Sequence, residues 1–108
     1  MNPVTSALTT LFNKTPRRHS AENMKEITAI VADYENLLLE IEAVNSFYEK
    51  SIPPFFDELE VVKATVKKSN DNKASKKLKD SLFDEASGAL KENIQSLITL
   101  YADGNRTI

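Results

Sequence analysis

The chain of 108 residues contains no cysteine and no tryptophan, and it has only two glycines, four prolines and one histidine. The lack of cysteine excludes disulfides, thiolate catalysis and zinc sites built on cysteine, and it is compatible with a reducing compartment. So few glycines do not suit a β-sandwich, which needs many turns. Leucine, alanine, glutamate and lysine are frequent instead, and this composition is typical of helices.

Long apolar runs are also missing from the chain. The longest strongly apolar runs are residues 37–39 and 97–101, the second interrupted by Thr99, whereas a membrane-spanning helix needs about 20 apolar residues. The first residues carry no charged region followed by an apolar core, so we predict no secretory signal. We therefore expect one soluble domain in the cytoplasm, without a transmembrane segment.

Side chains that could carry catalysis are scarce and scattered. His19 is the sole histidine and lies beside Arg17 and Arg18, and Gly88 and Gly104 are too far apart to form a phosphate-binding loop. Adjacent acids diverge by about 100° around a helix, so they are not poised as an acid–base pair. We therefore expect no catalytic residue, no metal and no cofactor, and we predict that the chain is not an enzyme.

The first 19 residues predict a short amphipathic helix followed by a linker. Asn2 suits an N-cap and Pro3 the first helical position, and apolar residues then recur at helical spacing. Because the polar face carries Thr and Ser rather than Lys, we favour docking of this helix on the rest of the chain over a detachable arm or a membrane-surface anchor. We expect the helical bundle domain to span residues 20–104 and residues 105–108 to form a frayed tail.

One long helix is predicted over residues 21–50, with Ser20 as its N-cap. Apolar residues occupy three of the seven heptad positions, which makes a stripe wide enough to meet two neighbouring helices. These residues are Met24, Ile27, Ile30, Val31, Tyr34, Leu37, Leu38, Ile41, Val44 and Tyr48, and the one polar residue in the same series is Asn45.

Pro53 and Pro54 interrupt this pattern, because each proline removes a backbone donor and clashes with the preceding turn. The heptad phase nevertheless continues without a skip from Met24 to Val66. Two arrangements are compatible with this: either the first helix kinks at the prolines and continues, or the chain reverses and the phase match is accidental. The sequence does not distinguish between them.

The clearest loop lies at residues 69–76, which are polar and contain no apolar anchor. A last helix is predicted from about Lys76 to Asp103, with Gly104 as its stop signal. A patch of small residues in it indicates either close approach of a neighbouring helix or local flexibility; it comprises Ala86, Gly88 and Ala89. The predicted fold class is all-α: an antiparallel bundle of three main helices, the first two being one helix if the prolines only kink it, plus the short N-terminal helix.

Charge is unevenly distributed, although the net charge is only −2. Residues 21–50 hold seven acids and two lysines, whereas residues 63–79 hold seven lysines and one acid, Asp71. The candidate anion-binding residues in the second stretch are Lys67, Lys68, Lys73, Lys76, Lys77 and Lys79. Since the stretch contains no arginine or aromatic residue, it could contact phosphates without reading bases; the alternative is a solvated loop that binds nothing.

Aromatic residues concentrate around the two prolines, where they could anchor a protein partner or fill the core. The candidate partner-binding residues are Phe47, Tyr48, Phe55 and Phe56. A short second helix cannot cover two longer neighbours, so we expect exposed apolar stripes in a monomer and predict a homo-dimer or other homo-oligomer. The first predicted function is a non-enzymatic interaction module, such as an adaptor, small chaperone or assembly subunit, that also binds a protein partner. The alternative is a non-specific binder of nucleic acid or of an acidic surface through residues 63–79.

Overall fold

The computed structural model describes the backbone of residues 3–107 and the side chains of residues 4–101, and this part of the chain forms five α-helices and no strand. The predicted all-α class is therefore confirmed. The helices are α1 (Pro3–Lys14), α2 (Ala21–Glu42), α3 (Ser46–Ser51), α4 (Pro53–Ser69) and α5 (Lys76–Thr107).

Three of the helices begin where the sequence supplies a suitable residue. The Ser20 hydroxyl accepts a hydrogen bond of 3.0 Å from the backbone N–H of Asn23, so the predicted N-cap of α2 is confirmed. Pro53 occupies the first position of α4, where its missing N–H leaves no helical bond unmade. The Ser75 hydroxyl accepts a hydrogen bond of 3.1 Å from the N–H of Leu78 and caps α5.

The continuous helix predicted over residues 21–50 was wrong, because α2 ends at Glu42 and a separate short helix follows. Asn45, interpreted from the sequence as a polar position in the apolar stripe, is the N-cap of α3. Its backbone is extended, with φ −164° and ψ 177°, and its side-chain oxygen accepts a hydrogen bond of 3.1 Å from the N–H of Tyr48. Asparagine favours such caps over helix interiors, and here this local preference prevails over the heptad pattern.

The chain reverses between α2 and α4 and does not kink. At one end of the pair, the Ser69 hydroxyl of α4 donates a hydrogen bond of 3.6 Å to the sulfur of Met24 in α2. Further along both helices, Lys63 of α4 pairs with Glu35 of α2. Residue numbers therefore rise along α2 as they fall along α4. The breaks on either side of α3 produce this reversal, and the continuous heptad phase across them is accidental.

The N-terminal helix α1 packs on the bundle, as predicted. Leu8 is fully buried, and the ammonium of Lys91 on α5 lies 4.5 Å from the centre of the Phe12 ring. The linker after α1 runs antiparallel to α5. Phe12 contacts Lys91, whereas Pro16, further along the chain, accepts a hydrogen bond of 2.6 Å at its carbonyl from the hydroxyl of Ser87, which lies earlier in α5. The short helix thus contacts both α5 and α2.

The apolar stripes are covered within a single copy of the chain. In the stripe predicted over residues 21–50 only Val44 is exposed, and in the stripe of α5 only Leu78 is exposed. The expectation of long uncovered stripes was therefore wrong. The expectation failed because the chain has a further break after Glu42. The resulting α2 is shorter than predicted, and α1, α3, α4 and α5 together bury its apolar stripe. Self-association remains a prediction, but it loses the argument on which it was based.

The last helix determines the length of the molecule. Its 32 residues span about 48 Å at 1.5 Å per residue, which matches the longest extent of 49 Å. It continues to Thr107 and so passes the predicted stop at Gly104. A Cβ atom built on Gly88 would meet no atom within 4 Å, so no neighbouring helix approaches closely there. None of the helices in the described range is long and apolar enough to cross a bilayer.

Candidate functional site

Six lysines lie at one end of the bundle, where the last turn of α4, the loop of residues 70–75 and the start of α5 meet. We call this surface the lysine end; it comprises Lys67, Lys68, Lys73, Lys76, Lys77 and Lys79. All are exposed except Lys79, which is half-buried. Within the part of the chain that the structure describes, none of their ammonium groups pairs with an acid. The structure therefore brings together all six candidate anion-binding residues and leaves their charge available.

The acids closest to these lysines in the chain do not neutralise the surface. The carboxylate of Asp71 accepts a hydrogen bond of 2.9 Å from the backbone N–H of Lys73, so it stabilises the turn of the loop. Asp80 is exposed on α5. Residues 67–80 hold six lysines against these two aspartates, and a local surplus of positive charge remains.

Lys63 belongs to the same lysine-rich stretch of sequence but not to the lysine end. Its ammonium pairs with Glu35 of α2 and lies 3.3 Å from Oε1 of Glu60. The hydrogen bond to Glu35 raises the pKa of Lys63 above its usual value, although burial acts in the opposite direction. Lys63 therefore holds α4 against α2 and is not available to an external anion.

The positions of Lys76 and Lys77 oppose the stability of α5. The free N–H groups at a helix N-terminus carry a partial positive charge, so each lysine there costs roughly 0.3–1 kcal/mol. The start of α2 shows the usual arrangement, with Glu22 in its first turn, whereas α5 has no acid in its first turn. A local choice that lowers stability without a compensating contact is typical of functional surfaces.

The fold also brings two cations near the lysine end that are distant from it in sequence. Arg18 precedes His19, whose ring meets the ring of Phe83 on α5 edge-on at 5.8 Å between centroids. Lys25 follows Met24, which contacts the last residue of α4. Arg18 and Lys25 are both exposed, but Glu22 and Glu26 lie beside Lys25 at the start of α2, so these two cations add no net charge to the end. Sequence reasoning missed them because only the antiparallel contacts bring the linker and the start of α2 to this end.

The other basic residues of the linker, Arg17 and His19, each contact a residue of α5. The guanidinium of Arg17 lies 3.0 Å from Oδ1 of Asp84 in an exposed ion pair. Nε2 of His19 is buried and has no hydrogen-bond partner, so no described group orients the imidazole for proton transfer. Among the residues described, no three His, Asp or Glu side chains are grouped so that they could hold a metal ion.

The four aromatic residues predicted to bind a partner do not share one surface. Tyr48 is fully buried; its ring stacks on Tyr101 at 5.6 Å, and its hydroxyl donates a hydrogen bond of 3.2 Å to the Tyr101 carbonyl. Phe55 and Phe56 are half-buried against the core. Phe47, with 41% of its surface exposed, is the most accessible of the four.

Three large apolar side chains are exposed around the turn between α2 and α3. Leu39 is 53% exposed, Val44 56% and Phe47 41%, and we call this group the apolar corner. Because α2 and α4 run in opposite directions, the corner and the lysine end lie at opposite ends of the bundle. Leu39 and Phe47 fall outside the heptad stripe, and that is the signal by which the sequence could have identified them.

A groove of about 430 Å³ separates the outer faces of α2 and α4. Met24, Val31 and Val66 contribute apolar side chains to it, and the pair of Lys63 and Glu35 contributes charge that is already neutralised. Lys67 of the lysine end also lines the groove and is the one lysine there without an acidic partner among the described residues. Because a single free cation at the rim fixes a small molecule poorly, the groove is a weaker candidate than the lysine end.

No family model, curated protein or solved structure matches this chain. The interpretation of the lysine end therefore depends on its own charge, exposure and position in the fold. Those three properties distinguish it from the rest of the described surface, where lysines are fewer and the acids of α2 predominate.

Proposed function

We propose that this chain is a non-enzymatic helical interaction module that binds a phosphate-bearing, anionic surface through its lysine end. The observation that carries the proposal is the group of six lysines at one end of the bundle, without described partners for their charge. Of the two functions that the sequence predicted, this is the second. The first depended on uncovered apolar stripes and on the aromatic residues around the prolines; the stripes are covered, and of those aromatic residues only Phe47 is exposed.

Lysine side chains suit a surface recognised by charge alone. The ammonium group is a compact point charge with three donors, which can reach phosphate oxygens from many directions. The lysine end contains no arginine and no aromatic residue, so bidentate contacts with bases and stacking on bases are absent from it. Binding should therefore show no sequence preference and should weaken steeply with salt.

Heparin chromatography of the full chain tests the proposal. Although the net charge is −2, the wild-type chain should be retained at low ionic strength and released as salt rises. Replacing two lysines, with Lys76→Glu and Lys77→Glu together, should abolish the retention. Because acidic side chains stabilise the N-terminus of a helix, this double variant should also unfold at a higher temperature than the wild type. Loss of binding could then not be attributed to loss of the fold.

A single charge reversal elsewhere provides the matched control. Lys50 is exposed at the end of α3, and Lys50→Glu changes the net charge by the same amount as Lys76→Glu. Retention that falls in Lys76→Glu and persists in Lys50→Glu supports a local site. Equal losses in both variants, or no retention of the wild type at all, would contradict the proposal.

Contact between copies of the chain is a second candidate function, and the apolar corner is the observation that favours it. Exposed apolar groups close together commonly mark association sites, and a two-fold dimer could bury the corner against itself. Sedimentation equilibrium over a range of concentrations should then show a dimer that Phe47→Ser dissociates. Val61→Ser is the control, because Val61 is 64% exposed on α4 and lies outside the corner. A monomer at every concentration would rule this candidate out.

The proposal assigns the chain no catalytic residue, cofactor or metal, and it assigns a cytoplasmic location. Two considerations support that location. A chain without cysteine is compatible with a reducing compartment, and both nucleic acids and the inner leaflet of the cell membrane present phosphate to the cytoplasm. Expression with a fluorescent tag, followed by cell fractionation, would test it directly.

A further inference from the structure

Leu78 is an apolar residue in a surface that otherwise carries positive charge. It lies in the first turn of α5 between Lys77 and Lys79, and 48% of its surface is exposed. The other large apolar side chains that the structure describes as exposed lie elsewhere, in the apolar corner and at Val61 of α4. The lysine end therefore combines several cations with one accessible apolar group.

We infer that the anionic surface bound by the lysine end is the headgroup layer of an acidic lipid membrane, with Leu78 entering the boundary between headgroups and acyl chains. This inference rests on the proposed function and adds the class of partner to it. The arrangement satisfies both requirements of peripheral membrane binding, which are basic residues for anionic lipids and apolar side chains for the interface.

The alternative partner with the same phosphate chemistry is nucleic acid, and Leu78 argues against it. A phosphate backbone offers an exposed leucine no apolar surface, and burying the leucine against it would strip water from charged groups. Sites for single-stranded nucleic acid that lack sequence preference combine cations with aromatic residues on which bases stack, and residues 63–79 contain no aromatic residue. Lipid headgroups, in contrast, cover an apolar layer that Leu78 could reach.

The geometry of the end is suited to an approach along the bundle axis. The loop of residues 70–75 and the start of α5 form the tip; Lys73 lies within the loop, and Lys68 lies in the last turn of α4 just before it. Arg18 and Lys25 lie on the side of the linker and α2, where Glu22 and Glu26 balance their charge, so the surplus of positive charge is confined to the lysine end itself. The free N–H groups at the start of α5 also favour anions. The apolar corner, at the opposite end, would remain free.

The expected binding is reversible and dominated by charge. Each lysine close to an anionic membrane contributes about a fivefold increase in partition coefficient, and the effect is confined to about a Debye length, ~10 Å at 0.1 M salt. Reversal of two lysine charges should therefore lower the partition coefficient by at least about 25-fold. A single inserted leucine adds a smaller increment, which gives a marginal and reversible anchor.

Co-sedimentation of the full chain with lipid vesicles tests the inference. We expect binding to vesicles of phosphatidylcholine with roughly a third phosphatidylserine, and no binding to phosphatidylcholine alone. Leu78→Ser should weaken vesicle binding several-fold while leaving the salt concentration for elution from heparin unchanged. Val61→Ser, an equally polar change at an exposed site away from the tip, should leave both unchanged.

The absence of tryptophan from the chain provides a direct probe of insertion. Leu78→Trp introduces a sole indole, whose emission should shift to shorter wavelength with acidic vesicles and should be quenched by lipids brominated in their acyl chains. Val61→Trp is the matched control and should show neither change. A 20-base-pair DNA duplex, added to Leu78→Trp in place of vesicles, should leave the emission unshifted.

The outcomes separate this inference from the proposed function. Binding to acidic vesicles that is weakened by Leu78→Ser and by Lys76→Glu supports both the membrane inference and the proposed function. Retention on heparin or binding to the duplex without binding to acidic vesicles overturns the membrane inference and leaves the lysine end as a polyanion site. Vesicle binding that Leu78→Ser does not weaken also overturns the inference. If the chain binds none of these probes, both proposals fall.

Discussion

The hydroxyl of Tyr34 on α2 donates a hydrogen bond to Oδ1 of Asn93 on α5 in the interior of the bundle. Tyr34 is fully buried and Asn93 nearly so. The amide nitrogen of Asn93 in turn donates a hydrogen bond of 2.8 Å to Oε2 of Glu58 on α4. Three helices thus meet through one polar chain, which satisfies groups that could not be left unpaired in the core.

This polar chain predicts non-additive changes in stability. Tyr34→Phe should lower the free energy of unfolding by about 1–3 kcal/mol, because it leaves the buried Oδ1 of Asn93 without a donor. Asn93→Leu should be destabilising by itself for the corresponding reason, since it leaves the Tyr34 hydroxyl unpaired. The double variant should lose less than the sum of the two single losses, measured by urea denaturation. Strict additivity would show that the hydrogen bond contributes nothing to stability.

The buried tyrosines predict loss of stability at high pH. Burial raises the pKa of Tyr34 above its ordinary value of 10.0, and the nearby Glu58 carboxylate adds to the effect. Burial also raises the pKa of Tyr48, with a contribution from Tyr101. A raised pKa means that the folded state holds the phenol proton more tightly than the unfolded state does. The stability that the neutral phenols contribute is therefore complete at pH values below the pKa of the unfolded chain and is lost as pH rises above that value.

The free energy of unfolding should therefore be nearly flat up to about pH 10 and then fall by up to about 1.4 kcal/mol per pH unit for each of these tyrosines. Urea titrations at successive pH values would measure the slope. In Tyr34→Phe the slope should be smaller, although the variant is less stable at neutral pH. An unchanged slope in that variant would show that Tyr34 does not contribute to the pH dependence. The pKa of Lys63 is also raised, so deprotonation of Lys63 also lowers the free energy of unfolding at high pH. This contribution is the same in the wild type and in Tyr34→Phe.

The cap at Asn45 predicts a localised loss. Asn45→Ala should lower the free energy of unfolding by about 0.5–2 kcal/mol, because the N–H of Tyr48 loses its side-chain acceptor at the start of α3. Ser46→Ala, at the next and exposed position, serves as the control and should change stability by less than about 0.5 kcal/mol. If both changes had equal effects in thermal denaturation, the cap would not be the cause.

Gly88 predicts a gain in stability. The space around it accommodates a Cβ without contact, so Gly88→Ala should raise the free energy of unfolding by about 0.5–1 kcal/mol through lower backbone entropy in the unfolded chain. The reverse change at the adjacent exposed site, Ala89→Gly, should lower it by a similar amount. A decrease in Gly88→Ala would mean that another copy or a partner packs against this helix in solution.

Prediction from the sequence succeeded where a local signal decides the structure. Ser20, Pro53 and the polar loop before Lys76 mark helix boundaries through hydrogen bonding and backbone sterics that depend on neighbouring residues alone. It failed at Asn45, where the same residue suits a cap and a polar position in a stripe. It also failed at Gly104, a common helix stop that α5 passes.

The composition, the periodicity and the order of charges in this sequence were sufficient to determine an all-α chain and six lysines close together near one loop, because neighbours in a helix or turn are neighbours in space. Only the tertiary structure decided that the chain reverses after Glu42, that Lys63 pairs with Glu35, and that Arg18 and Lys25 approach the lysine end. It also decided that the apolar stripes are covered by one copy. These features depend on contacts between residues far apart in sequence, whose pairing follows from the sum of many weak packing energies and not from any single local preference.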